Sequence, residues 1–108
     1  MTTNQFGRHE LDNTNLTLDQ MPASDATWPE IQRFGLSFDA YALWGSFERC
    51  AEIANARRHK TLTDLRTCLF FEQRRWRHFG KEPDEPAMEY IRGLVEQIRA
   101  KVQAGELG

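Results

Sequence analysis

Apolar positions recur at helical spacing along three stretches of the chain, at about residues 39–59, 62–79 and 85–104. When residues are placed at 100° intervals, the hydrophobic side chains of each stretch fall on one side and the polar ones on the other. The sequence therefore predicts three amphipathic α-helices. Their apolar stripes are Leu43, Phe47, Cys50, Ala51 and Ala54; Leu62, Leu65, Leu69, Trp76 and Phe79; and Ala87, Ile91, Leu94, Val95, Ile98 and Val102.

Residues with helix-capping preferences mark the ends of these helices. Either Thr61 or Thr63 can cap the second stretch and Gly80 follows it, while Asp84 precedes the third. The turns between the stretches are short, which favours antiparallel neighbours. We therefore predict an all-α fold, a small three-helix antiparallel bundle.

A short additional helix precedes the bundle. Thr27 and Glu30 have the spacing of a capping box, and Pro29 lies in the first turn, where its missing N–H group does no harm. Gly35 is positioned to end this helix. We predict a helix near residues 28–34 that packs across the bundle.

The first 26 residues differ from the rest in being rich in Asn, Thr, Asp and Gln, with no sustained apolar period. Such a composition is typical of a segment that buries little surface. The predicted organisation is a flexible polar arm at residues 1–26, one helical domain at 27–105 and a short tail at 106–108.

Composition indicates one soluble globular domain, because 40% of the 108 residues are hydrophobic and 28% are charged. The longest apolar run, residues 68–71, is far too short to span a bilayer, so no membrane association is predicted. The first residues lack the basic and apolar segments of a secretory signal, so we expect a cytoplasmic location. Cys50 and Cys68 would then remain thiols.

Charge is unevenly distributed although the net charge is only −2. Residues 61–81 contain five basic and two acidic side chains, while the segments before residue 28 and after residue 81 each have an excess of three acidic groups. In helical projection, one side of the second helix, opposite its apolar stripe, is both basic and aromatic. It contains Arg66, Phe70, Phe71, Arg74, Arg75, Arg77 and His78.

This basic-aromatic face supports our leading hypothesis, a small non-catalytic intracellular interaction or regulatory module that binds a protein partner. Arginine binds carboxylates and phosphates, and exposed rings anchor interfaces. Tyr41, on the polar side of its helix, is a second predicted anchor. No cofactor is expected, and a homodimer through leftover apolar surface stays open. Alternatively, Phe70 and Phe71 are buried in a central helix and the arginines form a solvated rim.

Nucleic-acid binding is the alternative from another class. It would combine the 74–78 cluster with a second basic cluster, Arg57, Arg58 and Lys60. Against it, the sequence pI is about 5.9, and the second helix begins with residues poor in base-reading groups.

A remote alternative is a small enzyme centred on Glu72 or Cys68. Glu72 projects into the apolar stripe of its helix, where a carboxylate needs a partner. We expect a structural ion pair with an arginine such as Arg33 or Arg49, or a margin position that reaches water, rather than a general acid or base. Cys68 is expected to be a core thiol, and no ligand spacing predicts a metal site.

Overall fold

The computed structural model describes residues 16–106, and this range is helical with no β-strand. The all-α prediction is therefore confirmed. The described range contains a 3-10 helix at Leu18–Gln20 and five α-helices: α1 (Trp28–Leu36), α2 (Ala40–Trp44), α3 (Phe47–Asn55), α4 (Leu62–Phe79) and α5 (Glu85–Gln103). None of these helices is both long enough and apolar enough to cross a membrane.

The two longest helices begin and end where local chemistry predicts. The Thr61 hydroxyl accepts a hydrogen bond from the Asp64 amide at 3.0 Å, and α4 ends at Gly80, which is left-handed with φ 72°. Asp84 caps α5 in the same way, because its carboxylate accepts from the Ala87 amide at 3.0 Å. These side chains satisfy amide groups that the first helical turn leaves without partners.

The single helix predicted at residues 39–59 is wrong, because the structure divides this stretch into α2 and α3. Gly45 ends α2 with φ 72°, and the Ser46 hydroxyl starts α3 by accepting from the Arg49 amide at 3.0 Å. A second left-handed residue, Arg57 with φ 50°, follows the end of α3. Residues 57–60 therefore form a loop, not the last turn of a long helix.

Two glycines offer a matched test of this break. Gly45→Ala is expected to lower the free energy of unfolding by about 1–2 kcal/mol, because its left-handed backbone is unfavourable for a residue with a Cβ. Gly93→Ala, in the middle of α5 with open space around an added Cβ, is expected to raise it by about 0.5–1 kcal/mol. Urea denaturation of both variants measures the difference, and a stabilising Gly45→Ala would argue for a continuous helix.

The main core forms around α4, which packs against α5, α3 and α1. The largest side chains that are fully buried in this core include Leu65 and Leu69 of α4 and Ile91, Leu94 and Ile98 of α5. A smaller second cluster lies where α2 and α3 meet α4, and it consists of Phe38, Ala40, Cys50 and Phe70. The candidate functional site is next to this second cluster, because Tyr41 and Phe71 of the site pack against it.

The arm predicted at residues 1–26 falls only partly within the described range, since residues 1–15 lie outside it, as do 107–108 of the tail. Residues 16–26 lie against α5: Met21 and Ala26 are buried, and two α5 arginines donate hydrogen bonds to backbone carbonyls of this segment. This part of the predicted arm is thus attached to the bundle.

Candidate functional site

A groove of about 470 Å³ opens where α2 and the start of α3 meet the C-terminal half of α4. Among residues 16–106, no acidic side chain lines it. We call it the basic-aromatic groove; its lining is Tyr41, Phe47, Phe71, Arg74, Arg75, His78 and Phe79.

Aromatic rings form a continuous surface in the basic-aromatic groove. The Phe47 ring centroid lies 6.0 Å from that of Tyr41 and 5.7 Å from that of Phe71. Phe47 is 57% exposed and Phe79, at the end of α4, is 55% exposed. Only four large hydrophobic side chains are exposed within residues 16–106, so this groove holds half of them. Such a concentration of exposed apolar surface is typical of a binding site.

Cationic groups lie over these rings. The Arg74 guanidinium carbon is 5.4 Å from the Tyr41 ring centroid, and that of Arg75 is 5.9 Å from the Phe71 centroid. Cation–π attraction at these distances restricts where a guanidinium can point. Within residues 16–106, Arg74 forms no ion pair, so its charge is not neutralised by a neighbouring carboxylate.

The wall formed by α2 is held on α4 by a partly buried polar contact. The Trp44 indole N–H donates to the Thr67 hydroxyl at 2.9 Å, and that hydroxyl donates to the Thr63 carbonyl at 2.8 Å. α2 is thereby placed across the middle of α4, with the Tyr41 ring edge-on to Phe70 at a centroid distance of 5.0 Å.

Four of the six residues predicted as binding residues, Tyr41, Arg74, Arg75 and His78, lie together in the groove. Phe70, named as a possible anchor, is only 4% exposed and packs with Phe38, Ala40 and Cys50, so for this residue the alternative of burial in a central helix is the one observed. Arg77 is exposed but does not line the groove.

Sequence reasoning missed Phe47 and Phe79 because both matched apolar stripes. The break at Gly45 separates Phe47 from the helix on which the stripe was projected, and Ser46 makes it the first residue of α3. Phe79 is the last residue of α4. Position at a helix end is not a sufficient signal of exposure, because Leu62 and Trp28 also lie next to a cap residue at a helix end and are buried.

Glu72 does not pair with Arg33 or Arg49 as predicted, but with groups on its own helix. Its carboxylate accepts a hydrogen bond from the Trp76 indole N–H at 3.2 Å and lies 3.7 Å from Nε of Arg75. Glu72 therefore forms an ion pair, as expected, but its partner is Arg75. Glu72 is thus a close neighbour of Arg75 and does not line the groove itself.

Cys68, the other residue of the enzyme hypothesis, is a core thiol. It is 1% exposed, and its Sγ–H donates to the Arg58 carbonyl at 3.5 Å. Burial raises the pKa of Cys68 to about 11. The thiolate, which is the nucleophilic form, is therefore scarce at neutral pH.

The second basic cluster lies in the loop between α3 and α4. Arg57, Arg58 and Lys60 are exposed there, and the Arg57 guanidinium carbon is 4.1 Å from the Tyr90 ring centroid. His59 Nε2 lies 3.0 Å from the Tyr90 hydroxyl; burial and the nearby charge of Arg57 lower the pKa of His59. About 20 Å of helix separates this cluster from the basic-aromatic groove, since α4 begins near one and ends at the other.

No family model matches the chain, and neither a curated protein nor a solved structure is significantly similar to it. In the part of the chain that the structure describes, no group of three or more His, Cys, Asp or Glu side chains could hold a metal ion. The functional proposal therefore depends on the geometry of the groove.

Proposed function

We propose that this protein is a small non-catalytic module that binds a protein partner in the basic-aromatic groove. The observation that carries the proposal is the presence of two exposed phenylalanines, Phe47 and Phe79, beside Arg74, which forms no ion pair within residues 16–106. Packing of the bundle gives no reason to leave these rings in water, where their apolar area is unfavourable. Aromatic side chains and arginine are also the residues that contribute most binding energy at protein interfaces.

Glu72 and Cys68 were the two candidates for catalytic residues, and the surroundings of both support a non-catalytic role. The carboxylate of Glu72 is engaged with Trp76 and Arg75, and the thiol of Cys68 is buried and protonated. Neither side chain lines the groove. A cytoplasmic location is part of the proposal, and the two free, buried cysteines agree with it.

A capture experiment with matched variants tests the proposal. The bait proteins are wild type, the double variant Phe47→Ser/Phe79→Ser, and a control, Leu36→Ser, in which an exposed apolar residue outside the groove is replaced. We expect one host protein to be retained by wild type and control and lost from the double variant. With that protein purified, calorimetry should show at least about a tenfold weaker affinity for the double variant, or about 1.4 kcal/mol.

Folding and specificity controls make each outcome decisive. We expect both variants to fold, because the replaced side chains are more than a third exposed. Thermal melts followed by circular dichroism check this. Equal affinity of wild type and the double variant for the purified partner would overturn the proposal. So would tight binding of mixed DNA or RNA that falls steeply with salt and needs Arg57, Arg58 and Lys60, because that pattern indicates the nucleic-acid alternative.

A further inference from the structure

The lining of the basic-aromatic groove combines basic groups with aromatic rings, and this combination restricts what can bind there. Arg74, Arg75 and His78 supply basic groups, and no acidic side chain is among the seven that line the groove. The remaining four lining residues are aromatic. An occupant must therefore satisfy cationic groups and cover rings at the same time.

We infer that the occupant is an acidic segment of a partner protein that carries a large apolar side chain. The apolar side chain contacts the rings of Phe47 and Phe79, and carboxylates of the same segment bind Arg74 and Arg75. This inference rests on the proposed function and specifies the chemistry of its partner. A volume of about 470 Å³ suits a few side chains of one segment rather than a broad, flat surface.

The position of Arg74 favours a carboxylate ligand. Its guanidinium lies over the Tyr41 ring, and within residues 16–106 it donates no hydrogen bond and forms no ion pair. The N–H groups of this guanidinium are therefore available to a ligand, and a guanidinium can bind both oxygens of a carboxylate at once.

Arg75 is held in place before any ligand arrives. Its Nε faces Glu72 at 3.7 Å without forming a hydrogen bond, while its guanidinium lies over Phe71. Binding then costs less side-chain entropy than it would for a freely rotating arginine. Because Glu72 offsets part of the Arg75 charge, Arg74 is expected to contribute more to the recognition of an acidic segment.

Short fluorescent peptides test the inference by anisotropy. The first peptide contains one Phe among Glu and Asp residues. In the second, Ser replaces Phe; in the third, Gln and Asn replace the acidic residues. In the fourth, phosphoserine replaces the acidic residues and its neighbours are neutral. We expect the first peptide to bind at least tenfold more tightly than the Ser and amide peptides, with an affinity that falls as salt rises.

Two charge reversals on α4 provide a matched pair. Arg74→Glu lies in the groove, whereas Arg77→Glu makes the same change in net charge on an exposed residue outside it. We expect Arg74→Glu to weaken binding of the acidic Phe peptide at least tenfold and Arg77→Glu to weaken it less than threefold. Equal losses would show attraction to net charge alone and would overturn the inference.

Other outcomes separate failure of the inference from failure of the proposed function. Equal binding of the amide and acidic peptides would overturn the acidic preference, as would binding of the phosphoserine peptide alone. Capture of a partner that depends on Phe47 and Phe79 would leave the proposed function in place in either case. Concentration-dependent self-association that Arg74→Glu abolishes would identify a second copy as the occupant and would also overturn the inference.

Discussion

Phe70→Ala is expected to lower the free energy of unfolding by about 3–5 kcal/mol, the usual cost of removing a buried phenylalanine ring. The side chain is 4% exposed and forms the second core cluster with Phe38, Ala40 and Cys50. It also supports the Tyr41 ring, which meets it edge-on. Since small domains unfold with about 5–15 kcal/mol, this single change would remove a large part of the stability.

Phe47→Ala is the matched control, because it removes the same ring from a side chain that is 57% exposed. Its expected cost is below about 1 kcal/mol, as for most surface substitutions. Urea denaturation of both variants provides the comparison. If Phe70→Ala kept wild-type stability and lost only partner binding, Phe70 would be an exposed anchor and the burial by α2 would be incorrect.

The contrast between these two phenylalanines shows what the sequence could not reveal. Helical projection placed Phe70 opposite the main apolar stripe of α4 correctly, but Phe38, Ala40 and Cys50 pack against it there, and α2 is attached to α4 beside it by the hydrogen bond between Trp44 and Thr67. Such an arrangement depends on tertiary packing, which no local period encodes. Conversely, Phe47 matched an apolar stripe that ceased to exist once Gly45 broke the helix.

Local chemistry predicted the ends of α4 but not the break at Gly45 and Ser46, although that break also depends on capping residues. The ends of α4 match the predicted residues 62–79, because Thr61 and Gly80 act through their own backbone and side-chain groups. The capping box of Thr27 and Glu30 likewise starts α1, where the Thr27 amide donates to the Glu30 carboxylate at 2.8 Å. The partner of Glu72 was also local, at i+3 on the same helix, and a survey of its own helix would have found it.

Gln73 is a buried polar side chain on α4, and its replacement is expected to have a large effect on stability. Its side chain is fully buried, and neither its amide nitrogen nor its amide oxygen has a hydrogen-bond partner in the described part of the chain. It lies at the contact with α1, where a Cβ added at Gly35 would come 3.6 Å from Cγ of Gln73. Burial of polar atoms without partners costs about 1–3 kcal/mol.

Gln73→Leu is therefore expected to raise the free energy of unfolding by about 1–3 kcal/mol, because leucine keeps an apolar group of similar size and removes both polar atoms. Gln97→Leu, on the exposed side of α5, is the control and should change stability by less than about 0.5 kcal/mol. Chemical denaturation of the two variants beside wild type measures both values. A Gln73→Leu variant less stable than wild type would mean that the amide is hydrogen-bonded in solution, for example to a buried water. In that case α4 and α1 would be joined by a polar contact rather than by packing alone.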